Sequence, residues 1–228
     1  MVNAVVSVLS VVAVCAAAGC SATVAGDVHP GEAARESSAL QDLLLSAEEI
    51  NTAMNAGDMV LDTTQSTLVD DGGRTNPTEC LAASSVGQEH VYSDSDWAAV
   101  RIQSVHEAGE DFEHLAHQAV VEFPSPAAAS AFLARSADTW RACARTGRYT
   151  FSPGSPDDDV VWLVAPVKEQ GSMLTMTTPQ QRGDGWTCQR ALTAAVNVVA
   201  DVMTCSYGVE DLAAATIAGE IADRVAGQ

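Results

Sequence analysis

Few side chains in this sequence stand at spacings that announce chemistry, and each has a plainer competing role. His114 and His117, with His106 nearby, are imidazoles that a metal ion could recruit. A metal needs them to converge, whereas H-x-x-H at the start of a strand sends its rings to opposite faces, and the helical spacing H-E-x-x-H is absent. All three are read as ordinary exposed histidines. Asp157-Asp158-Asp159 offers carboxylates to a cation, but an acidic run is more often a solvated loop. Gly183-Asp184-Gly185 lacks the preceding strand and following helix of a phosphate cradle and reads as a hairpin turn. Ser155 lies in the turn-forming Gly154-Ser155-Pro156, not in a G-x-S-x-G elbow. No catalytic, metal-binding or cofactor-binding residue is assigned, and no cofactor is expected.

More distinctive is the segment from Trp186 to Arg190, centred on Cys188. In a cleft, the Arg190 guanidinium would be a two-pronged holder for a carboxylate or phosphate. The favoured reading instead pairs Arg190 with one of the many carboxylates and packs Trp186 over a disulfide.

Six cysteines are present. Cys15 falls in an apolar leader and Cys20 at its end, which leaves Cys80, Cys143, Cys188 and Cys205. An even set in an oxidising compartment makes a framework of two bridges, with three possible connectivities. A zinc site is the rival, and the closely spaced C-x-x-C pairs it needs are missing.

Val5 to Gly19 is an almost unbroken run of apolar and small residues, the right length for a signal-peptide core and short for a membrane span. It ends in Ala17-Ala18-Gly19-Cys20, which resembles a bacterial lipobox. By that resemblance Cys20 carries a diacylglyceryl thioether and becomes the mature N-terminus on the outer side of the cell membrane. Ala17 stands where lipoboxes usually have Leu, and Met1-Val2-Asn3 lacks a basic residue, so translation is expected to start upstream. The alternative is a plain secretory signal; both export the chain. The formal charge of −19 lies wholly beyond residue 19, and a surface that acidic repels nucleic-acid phosphates and anionic headgroups.

The elements that must position these groups follow from hydrophobic period. Residues 20–42 are polar and read as a stalk, and 43–228 as one domain. Ser46-Ala47-Glu48-Glu49 is a capping box for a helix reaching about Met54, with Gly57 just past its end. Val69 to Pro77 reads as an acidic loop. Strands are expected after Trp97 and over Gln118–Phe123, each with period two. Ser125-Pro126 opens a helix whose buried stripe is Ala129, Phe132, Leu133, Ala137 and Trp140. Val160–Val164 suits a central strand, Met173–Thr178 alternates, and the valines of Ala191–Met203 favour strand. A last helix, Glu210–Val225, puts Leu212, Ile217, Ile221 and Val225 on one side. Strands in the middle with helices packed against them make an α+β fold.

Several of these pieces occur together in one family. Leu45-Ser46-Ala47-Glu48-Glu49-Ile50-Asn51, Cys80-Leu81, Trp97, Phe123-Pro124-Ser125, Trp140-Arg141-Ala142-Cys143 and Gly185-Trp186-Thr187-Cys188-Gln189-Arg190-Ala191-Leu192 resemble the extracellular sensor domain of the mycobacterial PknH-type receptor kinases, over about residues 43–227. The resemblance implies bridges Cys80–Cys143 and Cys188–Cys205 and a curved, mostly antiparallel sheet flanked by helices around a cleft for an unidentified small or lipid-like ligand. No kinase domain and no second membrane span are expected. The resulting expectation is a membrane-anchored, non-catalytic sensor lipoprotein; a cell-envelope hydrolase with an unrecognised site and a protein–protein adaptor are the alternatives.

Overall fold

The computed structural model describes residues 39–109, 111–154, 158–208 and 212–227. The leader, Cys20 and most of the expected stalk lie outside the described residues, as do Ser155, Asp157, Glu210 and Asp211. Residues 39–43 are already helical, and Leu40, Leu43, Leu44 and Leu45 are buried, so packing begins ahead of residue 43.

Helix α1 (Ala47–Met54) starts on the expected capping box: Glu49 N–H donates to Ser46 Oγ, and Ser46 N–H donates to the Glu49 carboxylate. It ends at Asn55 in the left-handed region, not at Gly57; a short amide side chain tolerates that conformation. Strand β1 (Met59–Gln65) and the two-residue β2 (Thr75–Asn76) follow, then two single-turn helices, α2 (Leu81–Ser84) and α3 (Glu89–Tyr92). The expected loop after Val69 therefore contains a little pairing of its own. Strands β3 (Ala99–Glu107) and β4 (His114–Glu122) lead into α4 (Pro126–Thr146), whose N-cap Ser125 accepts from Ala128 N–H. Ala129, Phe132, Ala137 and Trp140 are its buried stripe, as expected, with Leu133 at the margin.

Then come β5 (Arg148–Phe151), β6 (Val160–Leu163), β7 (Lys168–Gln170), β8 (Met173–Pro179), β9 (Trp186–Ala195), β10 (Val198–Tyr207) and α5 (Ala213–Ala226). Two expectations change here. The run Ala191–Met203 is two strands, turned at Val196-Asn197, where Val196 has φ 49 without the usual glycine. Val160–Leu163 is not a central strand but the edge of a small sheet, only half-buried, with Trp162 facing a cleft. Leu212 is 55% exposed ahead of α5 and does not join that helix's buried side, Ile217, Ile221 and Val225.

The main sheet has the order β1-β3-β4-β10-β9-β8-β7 with every neighbouring pair antiparallel, and β2-β5-β6 form the second, smaller sheet. One face of the main sheet is closed by α1, α5 and the leucines of 40–45 over Val105, Val120, Ala200 and Val202. The other face meets α4 along part of its length through Val121, Leu192 and Val199. Both implied bridges form. Cys80–Cys143 ties the residue just before α2 to α4, and Cys188–Cys205 links directly opposed positions of β9 and β10. In the chain-entropy model, loops of 63 and 17 residues correspond to about 4 and about 3 kcal/mol.

Candidate functional site

Beyond the reach of α4, a cleft of about 440 Å³ lies between the same sheet face and the small sheet. Its floor is the alternate residues that a strand sends to one side: Thr63 and Gln65 from β1, Ile102 and Ser104 from β3, Leu115 and His117 from β4, Met203 and Cys205 from β10, Trp186 and Cys188 from β9. Its roof is Tyr149, Phe151 and Trp162 from the small sheet, with Val69 and the segment Ser84–Gln88 beside them. Tyr149 and Trp162 are cross-strand partners whose rings lie nearly parallel, 6.3 Å apart. In a chain that is 5% aromatic, two of the four tryptophans face this one space.

Each wall has a structural cause. The register between β1 and β3 slips between Leu61 and Thr63, leaving Asp62 as the extra residue of a bulge, and that carboxylate stands at the cleft. Gly87 has φ +61, and a Cβ there would come within 2.4 Å of Ile102 Cδ1, so the roof lies directly on the floor at this point. Gly87 N–H donates to Asp201 Oδ2 at 3.0 Å, which pins the roof segment to β10. Gln88 holds the neighbouring loop, donating to Asp71 Oδ2 and accepting from Asp71 N–H.

Asp201 is the centre of a buried network. It accepts from Gly87 N–H, from Tyr92 Oη at 3.1 Å and from Arg190 Nη2 at 2.6 Å. Arg190 is 1% exposed, donates also to Ala82 O, and lies 5.5 Å from the centre of the Trp140 ring. Its Nε and Nη1 have no hydrogen-bond partner among the described residues. Arg190 is thus part of the framework, as the favoured reading held, and its charge is answered by Asp201. Trp186 shares the cleft side of β9 with Cys188 and meets Tyr207 edge-on at 5.0 Å.

The histidines separate, as an odd spacing along a strand requires. His114 leaves the cleft and pairs with Glu107 at 2.6 Å, an interaction that helps hold the Glu107 carboxyl below its ordinary range against the opposing effect of burial. His106 contacts the Phe112 ring and lies 3.7 Å from Asp62. His117 alone is in the cleft. All three are half-buried, not exposed: His106 lies against Phe112, His114 against Glu107, and His117 is recessed in the cleft. Burial, helped by the positive charge of Arg190, pushes the His117 imidazole down to about 4, so it is neutral at pH 7. Tyr149 is pushed up to about 12 by burial and is neutral as well. No group of three or more His, Cys, Asp or Glu side chains among the described residues converges on a metal position. Asp158 and Asp159 are exposed, and Asp159 accepts a hydrogen bond from Ser152. Gly183–Gly185 is the turn between β8 and β9, as expected.

Sequence reasoning missed Asp62, Ser104 and Asp201 as residues of this region, and read His117, which it singled out, as exposed. Asp201 carried a usable signal: a lone carboxylate inside Val198-Val199-Ala200-Asp201-Val202 must find a partner when the strand is buried. Asp62 and Ser104 carried none, since their common location with His117 depends on the pairing of distant strands.

With the geometry in hand, comparisons with known proteins are informative. The family described as the PknH-like extracellular domain matches residues 36–224. The serine/threonine-protein kinases PknH of Mycobacterium bovis and Mycobacterium tuberculosis are each 33% identical to this chain over 186 residues, 82% of its length. The chain spans about 30% of the length of these curated relatives. The crystal structure of the extracellular domain of PknH from Mycobacterium tuberculosis superposes with a TM-score of 0.78 at 32% identity, covering 84% of this chain and 97% of that one. No helix among the described residues is long and apolar enough to cross a membrane. This chain belongs to the PknH-like extracellular domain family.

Proposed function

We propose that this protein is a lipid-anchored extracytoplasmic sensor module whose cleft holds a small or lipid-like molecule without transforming it. The observation that carries the reading is the cleft itself: about 440 Å³, within the range of small-molecule sites, walled by Trp162, Trp186, Phe151, Ile102 and Met203. A few polar groups, Ser104, His117 and Gln88, are spaced along it to orient an occupant. Family membership supports an extracellular sensor role, and the sequence around Cys20 supports anchoring through acyl chains, each methylene contributing about 0.8 kcal/mol of membrane affinity.

Native mass spectrometry with lipidomics on the purified protein tests the ligand. One compound recovered consistently, and lost on Trp186→Ala, is the expected result; preparations that are always empty would shift the reading to a protein–protein adaptor. For the anchor, Cys20→Ser should move the protein from the membrane fraction to the medium. A membrane-bound Cys20→Ser variant would refute lipidation at that residue.

A hydrolase is the second reading, and one observation favours it: Ser104 and His117 are opposed across β3 and β4, and both face the cleft. The chemistry is poor. An imidazole held near 4 is a weak general base at neutral pH, and no Ser104–His117 hydrogen bond is formed among the described residues. Stoichiometric labelling of Ser104 by a fluorophosphonate, abolished by His117→Gln, would reinstate it.

A further inference from the structure

The electrostatic make-up of the cleft narrows its occupant. Its lining includes two carboxylates, Asp62 and Asp71, and neither a Lys nor an Arg. Across from them stand the half-buried rings of Phe151, Trp162 and Trp186. The one other ionisable side chain on the floor, His117, is neutral at pH 7, and the buried Arg190 guanidinium is sequestered by Asp201. A ring face is electron-rich and attracts a cation brought within about 6 Å of its centre, most strongly where water is excluded. An anion entering the same space would meet two carboxylates and no Lys or Arg in the lining.

We infer that the cleft selects an organic cation, an ammonium group carried on an apolar body, with Asp62 and Asp71 supplying the countercharge and the aromatic walls the remainder. The inference rests on the ligand-binding reading above and adds the charge of the ligand. The two carboxylates are placed for it by independent devices. Asp62 is the extra residue of the β1 bulge, and Asp71 is fixed by the paired hydrogen bonds of Gln88. Each has an existing partner, Arg74 for Asp71 at 3.4 Å and His106 for Asp62 at 3.7 Å. Arg74 and Asp62 are 55% and 47% exposed, against 19% and 20% for Asp71 and His106, so each pair is open to water on one side and an incoming ammonium can exchange with it. Such a group occurs on free amines and on lipid headgroups alike.

The test is calorimetric titration of the full chain, its disulfides intact, with three probes of matched hydrocarbon length: hexyltrimethylammonium, heptanol and heptanoate. The cation is expected to bind at least about tenfold more tightly than the alcohol, a difference of about 1.4 kcal/mol, and the carboxylate not at all. Asp62→Asn with Asp71→Asn should erase the preference for the cation while leaving heptanol binding unchanged, which also reports that the variant is folded. Dihexanoylphosphatidylcholine, kept below its micelle concentration, separates the sources: tighter binding than hexyltrimethylammonium indicates a lipid, weaker binding a free amine. Equal binding of cation and alcohol would overturn the charge inference and leave the cleft reading standing. Absence of binding by all three probes would overturn both.

Discussion

The two faces of the seven-stranded sheet are built from the same strands and do opposite things. On one, Val105, Val120, Ala200 and Val202 are sealed beneath α1 and α5 by aliphatic packing, with Ile217 and Ile221 fully enclosed. On the other, the same strands present Ser104, His117, Asp201 and Arg190, and covering helix reaches only part of the way. The closed face needs only volume and hydrophobicity, whereas the open face needs every polar group answered by name. Stability is therefore held differently on the two sides: by area on the first, by a small number of specific bonds around Asp201 on the second.

The strongest way to break this contrast is to remove one residue from each side. Asp201→Ala strips the buried Arg190 of its countercharge and Gly87 and Tyr92 of their acceptor, and should cost about 3–5 kcal/mol. Ile217→Ala opens a cavity under α5 and should cost about 2–5 kcal/mol, in the same range. Urea unfolding gives both values. The discriminating measurement is hexyltrimethylammonium affinity, which should be unchanged in Ile217→Ala and reduced in the Asp201 variant because the roof loses its pin. Equal loss in both would mean that the faces are not separable.

That contrast also explains what could be read in the sequence. Elements of the closed face were legible: the capping box at Ser46 and the Ile217/Ile221 stripe follow from local pattern, as does the Ser125-Pro126 start of the helix on the other face. The cleft beyond that helix was not. His117 and Cys205 lie 88 positions apart in the numbering, yet both line the cleft because β4 pairs with β10. No local period encodes that pairing. The Val196-Asn197 turn was missed because it lacks glycine, and Val160–Val164 misled because an apolar run looks alike at a sheet's centre and at its edge. The two bridges were legible only through the family resemblance, since four cysteines permit three pairings.

Acid sharpens the comparison further, because the neutral imidazole is on the open face. An unfolded histidine titrates near 6.5, and His117 in the fold near 4. Between those values the unfolded chain binds more protons. The contribution is therefore fully present above about pH 6.5 and falls as pH drops towards about 4, by up to about 3 kcal/mol. Below that, Glu107 and Glu49, whose carboxyls are held low by His114 and by Ser46 with Arg224, add further losses as they protonate. Urea midpoints at pH 7, 5.5 and 4.5 should decline in the native protein and much less in His117→Gln. A native midpoint that stays level over that range would show that His117 is not kept neutral by the fold.

A smaller effect is expected where the two cleft walls touch. Gly87→Ala must carry a side chain at φ +61 and push Ile102 aside, at a cost of about 1–2 kcal/mol. Because Ile102 is floor and Gly87 roof, this change should weaken ligand binding more than its stability cost suggests. Calorimetry at a temperature where the variant is fully folded separates the two effects, and unaltered affinity would mean that the roof can shift without reshaping the cleft.

The least expected loss lies at the far side. Ser46→Ala removes the acceptor of Glu49 N–H at the start of α1 and should cost about 1 kcal/mol. Glu49 retains its bond from Ser46 N–H and its ion pair with Arg224 of α5, so the helix end stays docked. No residue of the cap touches the cleft, and hexyltrimethylammonium affinity should be indistinguishable from that of the unmodified protein. A measurable drop would mean that α1 supports the floor through the sheet: Gln118 of β4 is hydrogen-bonded to Leu45, one residue before the cap, and lies next to His117. In that case the two faces would be mechanically coupled through a single glutamine, and Gln118→Leu should reproduce the loss.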